Sequence, residues 1–478
     1  MAENGTRLNV AIPMPSGKRT IFIIGVLLMS ASFTAAGYSG GVVLPTRLAE
    51  IGSMDYYAII SSMSTLGMML VLPLVGKIAD IFGCKAVAIF GIVLQLCARI
   101  AMIFIADTIV FMVVYAASSI GGGMFVTAPY VMIATVVNAE ERPRFYGLIA
   151  TFNALGALVF PLVAGAVVDA GFTTLGFVVY APLCILGGAA ILSLYPNLKG
   201  RPNSAKFDLL GIILLVISIC CIVVWLSLGG KAFAFTSSIG LALLIVGIVA
   251  VALLIRVELK SENPSIPIRM FAKKRFTSAF LCQTLLACYS TCSAGWVIVY
   301  VQQMMQGSST MSSTVTMPQT IVIAILGVVL GGYLGKNFAK RFRLMGVLSM
   351  VSVTVAALIF FFLTPTSPMI QIWVATGLGG VGSAIVQTAY TPFFQSELKP
   401  EEYSAGQGMY SFGSTGGACI FGAIAGAVIN LGFGFNKVFL VATVLCAFGL
   451  VIALIGFRFT KEEIEASTAA VAGSDRND

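Results

Sequence analysis

The sequence contains no histidine, and its 478 residues include only 28 lysines and arginines and 19 aspartates and glutamates. At 10% charged residues the chain lies far below the roughly 25% of an ordinary soluble domain. Without imidazole, and with its ten cysteines forming no paired CxxC motif in a polar setting, the chain is not expected to hold a metal. No Gly-Lys-Ser/Thr run follows a strand, so no phosphate loop and no bound cofactor are expected. Acids, bases and thiols do not cluster into anything resembling a catalytic centre, so no catalytic residues are assigned and an enzyme is the remotest reading.

What the chain has instead is oil. Apolar residues make up 58% of it, and the mean hydropathy is +1.00. A helix needs roughly 20 apolar residues to cross about 30 Å of hydrocarbon. Runs of that length recur at 20–48, 54–75, 86–106, 109–136, 143–168, 172–195, 207–228, 236–256, 276–303, 313–335, 344–363, 368–393, 403–430 and 435–457. Lipid offers no partner to a bare N–H or C=O, and long unbroken runs satisfy themselves as helices rather than as barrel strands. The expected class is an all-α membrane protein of about 14 transmembrane helices, with the lipid bilayer as its surroundings. Glycine, at 50 residues, suits close helix approach. The first span shows no cleavage signal, and the tail after Lys461 is polar and rich in small residues.

An even span count places both termini on one side. That side's connections carry Lys77, Lys85, Arg142, Arg144, Lys199, Arg201, Lys206, Arg256, Lys260, Arg269, Lys273, Lys274, Arg275, Lys336, Lys340, Arg341, Arg343 and Lys399. The opposite side carries Arg47, Lys231 and Lys437. Positive residues stay cytoplasmic, so both termini are expected inside a cytoplasmic (plasma) membrane. The same skew accounts for the formal net charge of +9 without any nucleic-acid partner.

Two stretches match without a gap at an offset of 261 residues: YGLIATFNALGALVFPLVAGAVVDAGF from Tyr146 and QGMYSFGSTGGACIFGAIAGAVINLGF from Gln407. They fall in the fifth and thirteenth spans, so two extra helices separate two six-helix repeats. The expected organisation is a cytoplasmic tail (1–19), a six-helix bundle (20–199), a two-helix insert (200–260), a second six-helix bundle (261–457) and a cytoplasmic tail (458–478). Parallel bundles of this kind place a binding site between them and point to alternating access.

With these features the chain resembles the major facilitator superfamily, and most closely its fourteen-span drug:proton antiporter branch. The loop Gly76-Lys77-Ile78-Ala79-Asp80-Ile81-Phe82-Gly83-Cys84-Lys85 is similar to the superfamily's signature between the second and third spans. KFDLLG at 206–211 and RVELKSENPSIPIRMFAKKRF at 256–276 resemble the flanks of the branch's inserted pair. The resemblance implies a cytoplasmic gate latched by Gly76, Asp80, Gly83 and Lys85, with Arg142 as Asp80's partner. Four positions depart from the branch. Ala36 stands where the first span usually has an aspartate, Ala117 where the fourth has an arginine, and Phe160 and Ala164 where the fifth has glycines.

A charge in the bilayer centre is costly and therefore a functional candidate. Every acid falls in a loop, a tail or a span end, which leaves Arg99 in the third span. It lies about 12 Å along the axis from Asp107. Two readings stay open: it snorkels or pairs with Asp107, or it is an anion or coupling site. The helices that the resemblance assigns to the cavity carry Tyr38, Tyr130, Asn153, Gln283, Tyr289, Trp296, Tyr300, Gln387, Tyr390 and Tyr410. Such a set suits an amphipathic or aromatic small-molecule substrate. Export of such a compound is slightly favoured over proton-independent uptake, uniport or exchange of a metabolite or organic anion. A non-transporting sensor or enzyme is remote, and the chain is expected to work as a monomer.

Overall fold

The computed structural model describes residues 14–53, 56–197, 209–228, 233–261, 268–306, 311, 314–335 and 338–459. Most of the N-terminal tail, the C-terminal tail from 460, the start of the insert at 206–208, residues 262–267 and Lys336 lie outside them.

Among the described residues, fourteen helical rods follow one another. They are α1 (Ser16–Glu50), α2 (Tyr57–Phe82), α3 (Cys84–Phe104), α4 (Thr108–Val136, interrupted at Thr127 ahead of Pro129), α5 (Arg142–Asp169), α6 (Thr173–Leu194), α7 (Leu209–Leu228) and α8 (Ser238–Lys260). Then come α9 (Lys274–Thr291, continued through a π turn at Cys292–Trp296 into Val297–Gln303), α10 (Met317–Gly335), α11 (Phe338–Phe361), α12 (Met369–Gln395), α13 (Tyr403–Asn430) and α14 (Phe435–Gly456). Among the described residues, twelve rods are long and apolar enough to cross a membrane; α2 and α7 contribute shorter apolar segments, Ser64–Ala79 and Leu210–Ile222.

The rods agree with the spans read from hydropathy, with instructive exceptions at the basic ends. α2 runs on through Lys77 and Asp80 to Phe82, and α11 starts before Arg341 and Arg343. Backbone hydrogen bonding continues in the headgroup layer after the apolar run has ended, so charge truncates the hydropathy signal before it truncates the helix. For the same reason Cys84, expected in a loop, is the first residue of α3. Pro318 is the second residue of α10, where a missing N–H costs nothing.

The repeat is visible in the helices themselves. α5 and α13 each have 28 residues and begin and end at positions 261 apart. Their C-termini close with the same hydrogen bonds. Gly171 N–H donates to the Val168 carbonyl (2.9 Å) and Phe172 N–H to Val167 (3.0 Å); Gly432 donates to Ile429 (2.9 Å) and Phe433 to Val428 (3.2 Å). Gly171 (φ 85°) and Gly432 (φ 80°) hold the left-handed position that this cap requires.

Two compact units make up the chain. The first comprises Met1–Arg142, Leu148–Phe207 and Leu398–Ser411; the second comprises Pro143–Gly147, Asp208–Glu397 and Phe412–Asp478. The first turns of α5 and of α13 thus each belong to the unit that does not hold the rest of that helix. Within the first unit α4 packs on α2 and α3, and α1 on α6; within the second, α12 packs on α10 and α11, and α9 on α14. The two patterns correspond helix for helix. Small residues make the crossings close: a side-chain carbon on Gly121 would lie 2.8 Å from the Gly91 carbonyl oxygen, and one on Gly382 would lie 2.7 Å from that of Ser349. The inserted α7 and α8 pack on each other.

Candidate functional site

The signature loop is tight. α2 ends at Phe82, α3 begins at Cys84, and Gly83 alone joins them at φ 87°, its N–H bonded to the Ala79 carbonyl (2.8 Å). A residue bearing a Cβ would be strained there. Lys85 donates to the Tyr195 carbonyl (2.8 Å), tying the start of α3 to the residue after α6. Gly76 lies against the first turns of α13. A Cβ on Gly76 would meet Ala405 Cα, and would stand 2.7 Å from both Ala405 Cβ and Ala405 N. One on Gly408 would stand 2.5 Å from the Leu72 carbonyl oxygen, so α2 and the α13 start touch backbone to backbone.

Arg142 is buried at the start of α5. Its Nη2 donates to the Ala134 carbonyl (2.7 Å), its Nε to that of Val137 (3.3 Å) and its Nη1 to the Tyr403 hydroxyl (3.2 Å), with the guanidinium 5.4 Å from the Tyr403 ring centre. The Asp80 side chain, expected to pair with Arg142, lies outside the described residues.

The second unit contains the counterpart of the α2 crossing. A Cβ on Gly147 would meet the Gly327 carbonyl oxygen, and one on Gly331 would lie 2.9 Å from that of Pro143, so the α5 start crosses α10 as the α13 start crosses α2. Beside it the Tyr146 hydroxyl donates to Gln395 Oε1 (2.8 Å). Glu397 accepts the Arg275 backbone N–H (2.8 Å) at the beginning of α9, where a carboxylate satisfies helix-terminal donors.

The expected binding residues divide by environment. In the first unit Tyr38 on α1 is 56% exposed and Tyr130, just past the break in α4, is half-buried. Asn153 on α5 is braced by α1: its Oδ1 accepts from Ser30 (2.6 Å) and its carbonyl from Thr34 (2.9 Å). In the second unit Gln283, Trp296 and Gln387 are half-buried. Tyr289, Tyr300 and Tyr390 are enclosed. The Tyr289 hydroxyl donates to the Ala375 carbonyl (3.1 Å) and its ring stacks on Phe360. Tyr390 bonds Ser349 (2.8 Å) within a cluster containing Phe342, Phe393 and Phe457. Trp296 and Tyr300 do share a face, both against Phe435 at the start of α14. Tyr410, on α13, is buried in the first unit.

Other polar residues stand out only in three dimensions. Gln319 on α10 accepts from Ser293 on α9 (3.1 Å) and reaches Ser383 on α12 (3.4 Å), a polar seam through three helices of the second unit. Glu258, which hydropathy leaves just beyond the eighth span, is 1% exposed in the last turn of α8. Tyr403 does carry a signal in the sequence, since it stands at the repeat offset from Arg142. All ten cysteines are free thiols.

Comparison with known proteins fits this architecture. Residues 22–421 match the model of the Major Facilitator Superfamily. The chain is similar to the multidrug transporter protein MdtP of Bacillus subtilis, with 25% identity over 86% of this chain and 76% of that protein. It is also similar to the efflux pump FUS6 of Gibberella fujikuroi, with 26% identity over 87% and 77%. Among solved structures, the human organic anion transporter MFSD10 superposes with a TM-score of 0.64 at 14% identity, covering 92% of this chain and 100% of that one, a likeness of fold. Fourteen apolar helices, two matching sets of helix crossings and a family match over most of the length converge: this chain belongs to the major facilitator superfamily and is a multi-pass membrane transporter, not an enzyme.

Proposed function

We propose that the protein carries a small amphipathic or aromatic organic compound across the cytoplasmic membrane by alternating access, with export as the working direction. The observation that carries this reading is the make-up of the half-open candidates. Tyr38, Tyr130, Asn153, Gln283, Trp296 and Gln387 supply rings and amides but no charge. Rings offer apolar area and amides orient a ligand through a few hydrogen bonds. Tyr289, Tyr300, Tyr390 and Tyr410, which are buried, act as packing. The names of the bacterial and fungal relatives, a multidrug transporter and an efflux pump, favour export. In this reading Gly76, Asp80, Gly83, Lys85 and Arg142 form the cytoplasmic gate, both termini face the cytoplasm, and a single chain suffices.

A second mode, proton-independent uniport or exchange of a metabolite or organic anion, is favoured by one feature. Described acids sit at helix ends, as Asp107 does in capping α4 through Val110 N–H (2.9 Å), rather than mid-span where a proton carrier would sit. Flux of a fluorescent aromatic dye into or out of proteoliposomes, with and without an imposed pH gradient, tests both. Export coupled to protons requires flux that rises with the gradient; exchange requires flux that ignores it and follows dye on the far side. Trp296→Ala should raise the half-saturating dye concentration about tenfold through loss of ring contact. Absence of protein-dependent dye flux in every condition refutes the substrate class.

A further inference from the structure

Arg99 is a cation with too many donors for its surroundings. It lies on α3 about 7.5 Å along the axis from Phe104, and only 4% of it is exposed. A guanidinium carries five N–H donors and no acceptor. Nε–H goes to Ser118 Oγ on α4 (2.8 Å), while the fully buried Nη1 has no hydrogen-bond partner. The described ion pairs, Arg19 with Glu141 and Arg47 with Glu50, leave it without a carboxylate. Its flat faces are covered by the Tyr115 ring (5.0 Å) and the Phe177 ring (5.7 Å), which soften the charge but accept none of the in-plane N–H groups.

The groups around those free donors are of the same kind. α1 comes so close that a Cβ on Gly40 would sit 2.7 Å from Nη1 and 3.3 Å from the Tyr115 hydroxyl. Only a residue without a side chain fits against the fork there. The Tyr180 hydroxyl on α6, three residues beyond the Phe177 ring that covers Arg99, is buried and unpartnered. A permanent cation beside hydroxyls able to donate is chemically the inverse of a cation site. Bare N–H and O–H groups inside lipid are too costly to leave so by accident.

We infer that Arg99, through its unpartnered Nη1 and with Tyr180 nearby, forms a binding site for a small monovalent anion inside the first unit. The anion is either a free halide or the carboxylate of an organic acid; both satisfy Nη1 and neutralise the guanidinium. The site goes beyond the substrate reading above and stands or falls separately from it, because none of its groups belongs to the half-open set.

The test is thermal unfolding of the purified full chain at constant ionic strength, titrated with chloride, bromide, acetate or benzoate against sulfate. The wild type should show a saturable rise in unfolding midpoint, as expected when a ligand binds only the native state. Tyr180→Phe should move the half-saturating anion concentration up about tenfold, and Arg99→Gln should abolish the saturable response. A rise with halides alone identifies a free halide; a rise with benzoate that bromide competes away identifies a carboxylate site. Arg99→Lys keeps the charge but loses the fork, so it reports if Arg99→Gln does not fold, and it should also shift the curve upward. Identical curves in wild type, Arg99→Lys and Tyr180→Phe overturn the site. So does a wild type insensitive to anions, in which case the unpartnered Gln95 Oε1, one turn away on α3, turns to meet Arg99.

Discussion

Gly76→Ala offers the sharpest test of the gate. The added methyl would stand 2.7 Å from Ala405 Cβ and N, where ordinary contacts begin near 3.4 Å, and closer still to Ala405 Cα. Because the obstruction is backbone on a helix, no side chain can swing aside, and the α13 start must withdraw by about 1 Å from α2. Overpacking of this size costs about 1–3 kcal/mol. If the crossing exists in only one of the two access states, the whole cost falls on that state and moves the equilibrium about 5–150-fold. The population of the parted state can be read at a thiol introduced by Met409→Cys, a buried position on the same stretch of α13, after Cys84 and Cys97 have been replaced by serine. A water-soluble maleimide should label it about tenfold faster in Gly76→Ala and in Gly408→Ala, whose methyl would stand 2.5 Å from the Leu72 carbonyl oxygen. Gly165→Ala, with nothing within 4 Å of the new carbon, should label within about twofold of the parent. Equal labelling in all three variants would show that this crossing does not open during the cycle.

Two further predictions concern packing. Arg142→Met and Tyr403→Phe should be non-additive in a double-mutant cycle of unfolding free energy, with a coupling of about 1–2 kcal/mol from the shared hydrogen bond and ring contact. Gly379→Ala drives a methyl into the Tyr289 ring and should destabilise the protein by about 1–3 kcal/mol while leaving the dye affinity of the folded fraction unchanged; altered affinity would return Tyr289 to the binding set.

The architecture was legible because lipid removes alternatives. Hydropathy locates rods, and an ungapped repeat forces equal lengths, so α5 and α13 could be placed together with their matching glycine caps. Helix ends were less legible where Lys77, Asp80, Arg341 and Arg343 stop the apolar run before the hydrogen bonding stops. The interruption of α4 has a local cause in Pro129, but the π turn at Cys292–Trp296 has no signal beyond Gly295. Candidate side chains were found by type and then sorted by packing. Tyr289 and Trp296 look alike in the sequence, and only neighbouring helices enclose one and leave the other half-open. Arg142 and Tyr403 stand at equivalent positions of the repeat, but only the structure shows that they touch.

The manner in which the gate contact is built bears on how the protein can cycle. Helices in lipid gain little from hiding oil, so they hold together by close packing and polar contacts. At the α2 crossing the contact is Gly76 and Gly408 against backbone, and Arg142 nearby donates to two carbonyls of its own unit and one phenol. An alternating-access protein needs two states within a few kcal/mol of each other, and the contacts of Gly76 and Gly408 with backbone, which have no side chain to interlock, can part without a rearrangement of the helices that carry them. The Arg99 region is built the opposite way, with its cation clamped between two rings and α1, and its geometry is therefore expected to survive the cycle intact. Maleimide labelling of a thiol introduced by Ala98→Cys, buried beside Arg99, should accordingly be as slow in Gly76→Ala as in the parent, while the Met409→Cys thiol accelerates. Parallel acceleration at both positions would mean that the first unit loosens as a whole, and the division into a moving crossing and a fixed interior would fail.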